Sequence, residues 1–288
     1  MKSDGPIRVF SGATAIVTGG ASGIGRALAE ELAKRGCEVV LADRQFEFAE
    51  EVASGIRTVG GKATAANLDV TDFPALQQLV QDTVERTGRL DYMFNNAGIA
   101  IGGCVHDYGI QEWNQIIDVN LRGVVNGVQA AYCIMMKQGF GHIVNTASIT
   151  GLMPTPGQVA YSMTKHAVVG LSLSLRAEAA LLGIRVSVLC PGAIRTPILE
   201  GGGKYGKMLM DIPQEKLHEM FERLRPMSPS DFAERVIDLV ARNKPIIVQP
   251  SWYKRFWWIN RLSPSLGIAL ARRSFHKRTK ELGLAQDT

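Results

Sequence analysis

A glycine-rich turn near the start of the chain restricts the fold more than any other feature. The β-rich run Thr14–Thr18 leads into Gly19-Gly20-Ala21-Ser22-Gly23-Ile24-Gly25, and an amphipathic stretch over Ile24–Arg35 follows. Glycines let a turn bend sharply and approach a bound group closely, and a helix N-terminus offers free N–H groups. The order of strand, turn and helix predicts a pyrophosphate-binding turn. A purely conformational glycine cluster is the alternative, because the spacing departs from G-x-G-x-x-G.

Short apolar runs alternate with longer amphipathic stretches over the first 250 residues. The predicted strands are Thr14–Thr18, Glu38–Asp43, Ala63–Asn67, Tyr92–Asn95, His142–Thr146, Arg185–Cys190 and Pro245–Gln249. The predicted helices include Ile24–Arg35, Ala75–Thr87, Ile110–Lys137, Ala160–Leu182 and Asp231–Asn243. Several strands show little alternation, which indicates that both of their faces are covered by helices. The pattern predicts an α/β fold with a Rossmann-like, doubly wound parallel sheet.

We interpret residues 1–250 as a single dinucleotide-binding and catalytic domain and residues 251–288 as a C-terminal extension. Within the domain, residues 196–230 break the rhythm of strands and helices and are rich in glycine and methionine. Ligands of open α/β sheets bind beyond the carboxyl ends of the strands, so this segment is predicted to be a substrate lid. An ordinary surface loop is the alternative.

Charge and cysteine content exclude several classes of function. The net charge is +5, but the extension alone carries +6, with eight Lys/Arg against Glu281 and Asp287, so we expect no nucleic-acid binding. The four cysteines have neither C-x-x-C nor metal-ligand spacing, and we expect no metal. The chain shows no signal-peptide pattern and no apolar run long enough for a membrane span, so we expect a cytoplasmic location.

Asp43 ends the second predicted strand, eighteen residues after Gly25. A carboxylate at this position accepts hydrogen bonds from the ribose hydroxyls of an adenosine and repels a 2′-phosphate. The residue predicts NAD as the cofactor in preference to NADP. Its neighbour Arg44 could instead bind a 2′-phosphate, and a solvated acid at a strand end is a further alternative.

Tyr161 and Lys165 lie four residues apart, which places them on one face of a predicted helix. The ordinary pKa of tyrosine is about 10, and a nearby ammonium group favours the phenolate, which would make Tyr161 a usable base. Ser148 follows the strand His142–Thr146 and could donate a hydrogen bond to a substrate oxygen. Asn120 lies within a predicted helix, where asparagine is unfavourable, and could hold a water molecule or mark a kink.

Together these residues resemble the short-chain dehydrogenase/reductase family over roughly residues 10–250. The resemblance implies a catalytic set of Asn120, Ser148, Tyr161 and Lys165. It rests also on Thr18–Gly25, on Leu68-Asp69-Val70, on Asn95-Asn96-Ala97-Gly98 and on Pro191-Gly192 with Thr196. The implied cofactor-binding residues are Gly19, Ser22, Gly23, Ile24, Gly25, Asp43, Arg44, Asp69, Val70, Asn96, Ala97, Gly98, Tyr161, Lys165, Pro191, Gly192, Ile194 and Thr196.

The resemblance implies hydride transfer between a nicotinamide and an alcohol/carbonyl pair, with Tyr161 exchanging the alcohol proton. Lys165 would bind the nicotinamide ribose and lower the pKa of the tyrosine. Ser148 would orient the substrate oxygen, and Asn120 would hold a water that relays protons. The family commonly forms dimers and tetramers. We expect a homodimer, with a tetramer as the alternative, because the extension could block one tetramer interface.

The extension places aromatic and apolar residues beside many cations. Its aromatic part is Trp252, Tyr253, Phe256, Trp257 and Trp258, and a strongly basic stretch follows over residues 272–280. Packing over the substrate pocket or against a partner subunit is one interpretation. Peripheral contact of residues 252–280 with a membrane is the other, because aromatic rings and cations both suit the bilayer interface.

The expected substrate is a hydrophobic alcohol or ketone, of steroid, retinoid, fatty or aromatic type. The predicted apolar lining consists of Leu152, Met153, Met208, Leu209, Met210 and Trp252. Two other functions remain open at this stage. One is an NADP-dependent carbonyl reductase, and the other is a nucleotide-sensing protein that has kept the fold and lost the chemistry.

Overall fold

The computed structural model describes residue 7, residues 9–200 and residues 205–282, except for the side chain of Glu200. Its strands are β1 (Thr14–Thr18), β2 (Glu38–Asp43), β3 (Lys62–Asn67), β4 (Tyr92–Asn95), β5 (Ala100–Gly102), β6 (Gly141–Thr146), β7 (Ile184–Pro191), β8 (Gly206–Met208) and β9 (Ile246–Gln249). Its α-helices are α1 (Gly23–Lys34), α2 (Phe46–Thr58), α3 (Phe73–Thr87), α4 (Ile110–Ile117), α5 (Gly123–Gln138), α6 (Val159–Ala179), α7 (Gln214–Glu222), α8 (Pro229–Ala241), α9 (Lys254–Leu262) and α10 (Pro264–Glu281).

Seven strands form one sheet in the order β3-β2-β1-β4-β6-β7-β9, and every pair in it is parallel. This confirms the predicted doubly wound, Rossmann-like sheet, and each of the seven predicted strands is present to within one residue at either end. The chain passes from β1 to β2 on one side and returns to place β4 on the other. The crevice at this reversal is where ligands of open α/β sheets bind.

Helices cover both faces of the sheet, which explains why the central strands β1, β4 and β6 are buried on every residue. Within β1, Ala15 and Val17 belong to one buried cluster and Ile16 belongs to the other. The first cluster is completed by side chains of α1, α2 and α8, and the second by side chains of α3, α5 and α6. The carboxyl ends of all the strands therefore meet at a single edge, and that edge positions the site.

The predicted helix Ile110–Lys137 is interrupted, which corrects the sequence-based expectation of one continuous element. α4 ends at Ile117, a π-helical turn spans Asp118–Arg122, and α5 begins at Gly123. A π-helical turn inserts one extra residue per turn and often marks a functional site. Asn120 lies at its centre and is fully buried.

The predicted lid and the extension both have regular structure. Between residues 196 and 230 lie a short 3-10 turn at Pro197–Glu200, β8 and α7, and β8 pairs with β5 outside the main sheet. Residues 201–204 of the lid and residues 283–288 of the extension lie outside the described part. The rest of the extension forms α9 and α10. None of the helices that the structure describes is both long enough and apolar enough to cross a membrane.

Candidate active site

The predicted pyrophosphate turn has the geometry that an anion needs. Gly19 and Gly23 have positive φ angles of 68° and 53°, which glycine adopts without strain. A Cβ atom on Gly25 would lie 2.0 Å from the carbonyl oxygen of Gly19, so only glycine fits at that close approach. α1 begins at Gly23, its N-cap residue Ser22 makes no side-chain cap bond, and its first turn contains no acid. The helix N-terminus thus keeps uncapped N–H groups at the cavity, which suits a pyrophosphate.

Asp43 is held at the end of β2 by two backbone donors. Its Oδ2 accepts a hydrogen bond from the N–H of Ala21 at 3.0 Å, and its Oδ1 accepts one from the N–H of Gln45 at 3.0 Å. Each carboxylate oxygen offers about two acceptor positions, so one position on each oxygen is left over. The carboxylate is therefore fixed beside the glycine turn with capacity to accept two further hydrogen bonds.

Arg44 lies beside Asp69. Its Nη1 lies 3.5 Å from Oδ2 of Asp69, and the two side chains are 68% and 40% exposed. Burial would raise the pKa of Asp69, but hydrogen bonds from the backbone and hydroxyl of Thr71, together with Arg44, lower it below its ordinary value. Asp69 is thus an anion that pairs with the exposed guanidinium group of Arg44.

The turn after β1 is braced by the segment after β4. Oγ1 of Thr18 accepts hydrogen bonds from the backbone N–H groups of Asn96 (2.9 Å) and Ala97 (3.0 Å). The side-chain amide of Asn96 donates to the carbonyl oxygen of Thr18 at 3.1 Å. Asn95 donates to Asn145 on β6 at 2.8 Å, which ties the same segment to the next strand. The two predicted motifs therefore form one hydrogen-bonded unit at the switch point of the sheet.

Tyr161, Lys165 and Ser148 come together as the spacing predicted. Lys165 lies one helical turn after Tyr161 on α6, and its Nζ is 5.5 Å from the centre of the tyrosine ring. Nζ also donates to the carbonyl oxygen of Thr146 at 3.0 Å, which fixes the ammonium group at the end of β6. Ser148 follows that strand, accepts a hydrogen bond from the N–H of Thr150 at 3.2 Å and is bonded to the phenol of Tyr161.

Burial governs the electrostatics of this group. It raises the pKa of Tyr161 to about 12, although the hydrogen bond with Ser148 acts in the opposite direction. Burial also lowers the pKa of Lys165 to about 8. The pKa of Tyr161 is thus raised, not lowered as the sequence predicted, and the phenol is the stable form at neutral pH.

Asn120 is committed to the protein backbone. Its Oδ1 accepts from the N–H of Ile99 at 2.8 Å, and its Nδ2 donates to the carbonyl oxygen of Ile99 at 2.9 Å. A Cβ atom on Gly98 would lie 3.2 Å from Oδ1 of Asn120 and 3.4 Å from Nζ of Lys165. Asn120 therefore links the segment after β4 to α6, since its Nδ2 also lies 3.4 Å from Oγ1 of Thr164.

A single cavity of about 950 Å³ connects the glycine turn to Tyr161. It is lined by all of the predicted site residues except Gly25 and Asn120. Those that line it are Gly19, Ser22, Gly23, Ile24, Asp43, Arg44, Asp69, Val70, Asn96, Ala97, Gly98, Ser148, Tyr161, Lys165, Pro191, Gly192, Ile194 and Thr196. Gly25 serves the turn through its missing side chain, and Asn120 lies one layer behind the wall.

The predicted apolar lining was mostly wrong. Of the six residues, Met153 lines the cavity, whereas Leu152, Met208, Leu209, Met210 and Trp252 do not. The Leu152 side chain is buried in the core beneath the site, and the Trp252 ring stacks on Tyr253 with centroids 3.7 Å apart. The apolar wall comes instead from α7 and from the extension, through Met220, Phe221, Leu224, Tyr253, Phe256, Ile259, Leu270 and Phe275.

Several residues of the wall escaped the sequence analysis. Gln45 donates to the hydroxyl of Tyr205 at 2.9 Å, which links the cofactor end to the segment after residue 204. Arg278 lines the cavity and donates to the carbonyl oxygen of Pro156 at 2.7 Å. The aromatic composition of the extension was the only signal for such contacts, and it could not say which surface they would cover.

One group in the described part of the chain has the donor set of a metal site. Ligand atoms of Cys104, His106 and Asp107 lie within 4.8 Å of one another. Asp107 is already used by the backbone N–H of Cys104 at 2.7 Å, and the positive charge of Arg278 acts on Cys104. Both contacts work against a cation at this position.

Comparison with known proteins gives consistent matches. A family model described as short chain dehydrogenase matches residues 13–204. Oxidoreductase UcpA of Salmonella typhimurium is 37% identical over 212 residues, which are 73% of this chain and 80% of that protein. The 2,5-dichloro-2,5-cyclohexadiene-1,4-diol dehydrogenase LinX of Sphingobium indicum is 38% identical over 189 residues, 66% of this chain and 76% of LinX. A Burkholderia phymatum short chain dehydrogenase/reductase crystallised with NAD is 28% identical, has a TM-score of 0.80 and overlaps 90% of this chain and 96% of its own.

Proposed function

The chain belongs to the short-chain dehydrogenase family and is an oxidoreductase of CH–OH groups, and from that premise we propose that it transfers hydride between NAD and a hydrophobic secondary alcohol or ketone. The observation that carries the proposal is the single cavity that joins the glycine turn to Tyr161, Ser148 and Lys165. A nicotinamide cofactor bound there supplies the hydride acceptor or donor. The protein supplies position, a proton path and exclusion of water.

In the proposed oxidation, Tyr161 removes the proton of the substrate hydroxyl group, and in reduction it returns that proton. Ser148 holds the same oxygen through its hydroxyl group. Because burial favours the neutral phenol, proton removal needs a nearby positive charge, which Lys165 and an oxidised nicotinamide would both provide. Asn120 holds the backbone at Ile99, the neighbour of Gly98, and Gly98 borders the ammonium group of Lys165.

The preference for NAD rests on two side chains. The carboxylate of Asp43 has two acceptor positions left for the hydroxyl groups of an adenosine ribose, and its charge would repel a 2′-phosphate. The guanidinium group of Arg44, which could favour NADP, forms an ion pair with Asp69. A NADP-dependent carbonyl reductase is the competing proposal, since the ion pair of Arg44 is exposed and could open.

The proposed substrate is hydrophobic because apolar side chains from α7, from the residues after it and from the extension line the cavity. They include Phe221 and Leu224 on one segment and Phe256 and Leu270 on the other. We propose that the segment 196–230 acts as a lid, since both β8 and α7 border the cavity and β8 is held by a short pairing with β5.

The test is nicotinamide absorbance during turnover of a panel of secondary alcohols and ketones with NAD and with NADP. Tyr161→Phe should abolish turnover and leave NAD binding intact. Tyr132→Phe is the matched control, because its hydroxyl group is buried on α5 without a hydrogen-bond partner and does not line the cavity. Turnover that survives in Tyr161→Phe would refute the assignment. NAD binding without turnover across the panel would favour a nucleotide sensor.

We further propose that the protein is a homodimer. We also propose that residues 252–280 of its extension contact membranes. The outward face of α9 and α10 exposes Trp258, Leu262 and Ile268, which are 50%, 79% and 58% exposed. Basic residues flank them, which suits an anionic bilayer. Flotation with vesicles that contain phosphatidylserine should carry the protein along, and vesicles of phosphatidylcholine alone should carry less. If the protein floats with neither kind of vesicle and forms a dimer that buries Trp258, this face would be assigned to a second copy of the chain.

A further inference from the structure

The C-terminal extension forms one wall of the substrate end of the cavity. The Asn260 side chain donates to the carbonyl oxygen of Leu152 at 3.0 Å, and Arg278 donates to that of Pro156 at 2.7 Å. On the opposite side, Arg223 of α7 lies 3.3 Å from Glu281 of α10. α9 and α10 therefore bridge the loop before α6 and the lid, and their inner face is part of the site.

The cations that line this cavity differ in how they are compensated. They are Arg44, Lys165, Lys207, Arg223, Lys277 and Arg278. Four of them have a carboxylate within 4.0 Å, and Lys165 serves the tyrosine. Among the side chains that the structure describes, which leave out that of Glu200, Arg278 has no carboxylate within that distance. It is thus the one lining cation in the described chain for which the structure supplies neither a counter-ion nor a catalytic role.

The surroundings of Arg278 make this lack of a partner costly. Its guanidinium carbon lies 5.4 Å from the centre of the Phe275 ring, and Leu270 and Ala271 line the cavity on the same helix. Burial lowers the pKa of Arg278, but a guanidinium group stays charged at any physiological pH. In the described part of the chain its five N–H donors have one hydrogen-bond acceptor, the carbonyl oxygen of Pro156. A half-buried cation with unused donors beside apolar walls is the arrangement that binds a carboxylate.

We propose that the substrate is an amphiphilic acid, in which Arg278 binds a carboxylate at one end of an apolar body while the CH–OH group lies at Tyr161. The proposal rests on the function proposed above and names its substrate class. Pro156, to which Arg278 is bonded, lies five residues before Tyr161, so their Cα atoms are at most about 18 Å apart. A fatty or alicyclic hydroxy acid bridges such a span.

A binding measurement tests this without requiring turnover. Decanoate and its neutral analogue decanamide are titrated calorimetrically into the NADH-loaded enzyme. The unmodified enzyme should bind decanoate roughly 10- to 100-fold more tightly than decanamide, which is the ordinary value of a charge-assisted hydrogen bond expressed as an affinity ratio. In Arg278→Gln the ratio of the two affinities should fall to about one, because the charge that distinguishes the acid from the amide has gone. Arg273→Gln, an exposed change on the same helix and outside the cavity, should retain it.

Arg278 could also serve only to clamp the extension to Pro156, and the ratio separates that role from anion binding. Loss of a clamp weakens decanoate and decanamide equally. Asn260→Ala, which removes the other backbone anchor and leaves the charge, should lower both affinities and preserve their ratio. The proposal would be overturned if the unmodified enzyme bound decanoate and decanamide equally well. It would also be overturned if the preference for decanoate persisted in Arg278→Gln.

The failure of this inference is distinguishable from failure of the proposed function. Acid selectivity without turnover of any alcohol would leave the carboxylate site standing and remove the dehydrogenase assignment. Turnover of neutral alcohols with an acid-to-amide ratio near one would support the proposed function and remove the carboxylate site.

Discussion

Replacement of Asp43 by asparagine separates the two cofactor proposals. The structure assigns one backbone donor to each carboxylate oxygen, from Ala21 and from Gln45, each at 3.0 Å. In Asp43→Asn one of these oxygens becomes an NH₂ group, which would face a backbone N–H donor. The variant therefore loses the negative charge, one of the two remaining acceptor positions and part of the order of the turn.

The magnitude follows from the hydrogen bonds that a ribose diol could make. A hydrogen bond to a charged group contributes about 1.5–3 kcal/mol, and a neutral one contributes about 0.5–1.5 kcal/mol. Loss of one charged bond and conversion of the other to a neutral bond cost about 2–4 kcal/mol. This corresponds to a decrease of roughly 30- to 1000-fold in kcat/KM for NAD. The value for NADP should stay level or rise, because the charge that opposes a 2′-phosphate has gone.

The assay is the ratio of kcat/KM for NAD to that for NADP, measured with one saturating alcohol. Arg44→Gln is the companion variant, and its ratio should change little because Arg44 is engaged by Asp69. A ratio that Asp43→Asn leaves unchanged would refute the assignment of Asp43 to the ribose. A collapse of NADP turnover in Arg44→Gln would instead show that the arginine leaves Asp69 to bind the phosphate.

Three further predictions follow from the same contacts. Removal of the hydroxyl group in Ser148→Ala should move the pH profile of alcohol oxidation to higher pH, because the bond that lowers the pKa of Tyr161 is lost; an unshifted profile would contradict this. Gly267→Val should weaken the binding of apolar alcohols and leave KM for NAD unchanged, since a Cβ atom there would lie 2.3 Å from Oδ1 of Asn260. Gly55→Ala is the control, because the space around Gly55 is open. Burial lowers the pKa of His142 to about 3, so the unfolded chain binds the extra proton first and stability should fall from about pH 6.5 downward. Thermal unfolding in His142→Gln should show a weaker acid dependence, and an identical dependence would exclude this histidine as the cause.

Local sequence signals were sufficient to predict the sheet, the glycine turn and the meeting of Tyr161 with Lys165. Val39-Val40-Leu41-Ala42 is apolar on every residue because helices cover both faces, and such a run is recognisable without any neighbour. The glycine turn is equally local, since positive φ angles at Gly19 and Gly23 require the residue type that is written there. Tyr161 and Lys165 meet because one helical turn separates them, which is again a short-range rule.

The substrate end could not be predicted in this way because it is assembled from distant segments. The apolar character of Leu152 and Trp252 was visible, but whether such residues face a cavity or the core depends on contacts far away in the chain. The carbonyl oxygen of Leu152 accepts a hydrogen bond from the extension, donated by Asn260, 108 residues later. The interruption at Asp118–Arg122 also depends on tertiary contacts, because Asn120 bonds across to the backbone of Ile99.

The catalytic group and the wall that the extension contributes to the cavity are held by different sets of contacts. The described hydrogen bonds of Lys165 and Ser148 go to the ends of β6 and β7 and to the turn after β6, through Thr146, Pro191 and Thr150. Phe256, Leu270 and Arg278, by contrast, reach the cavity only through α9 and α10, whose described polar anchors are two backbone carbonyl groups and one ion pair on α7. Because backbone carbonyl groups are the same whatever the side chain, the loop that receives the extension can change its residues and keep both anchors, whereas Asn260 and Arg278 supply the anchoring side chains. We expect substrate choice to vary with the apolar residues of the extension and, through the proposed carboxylate site, with Arg278.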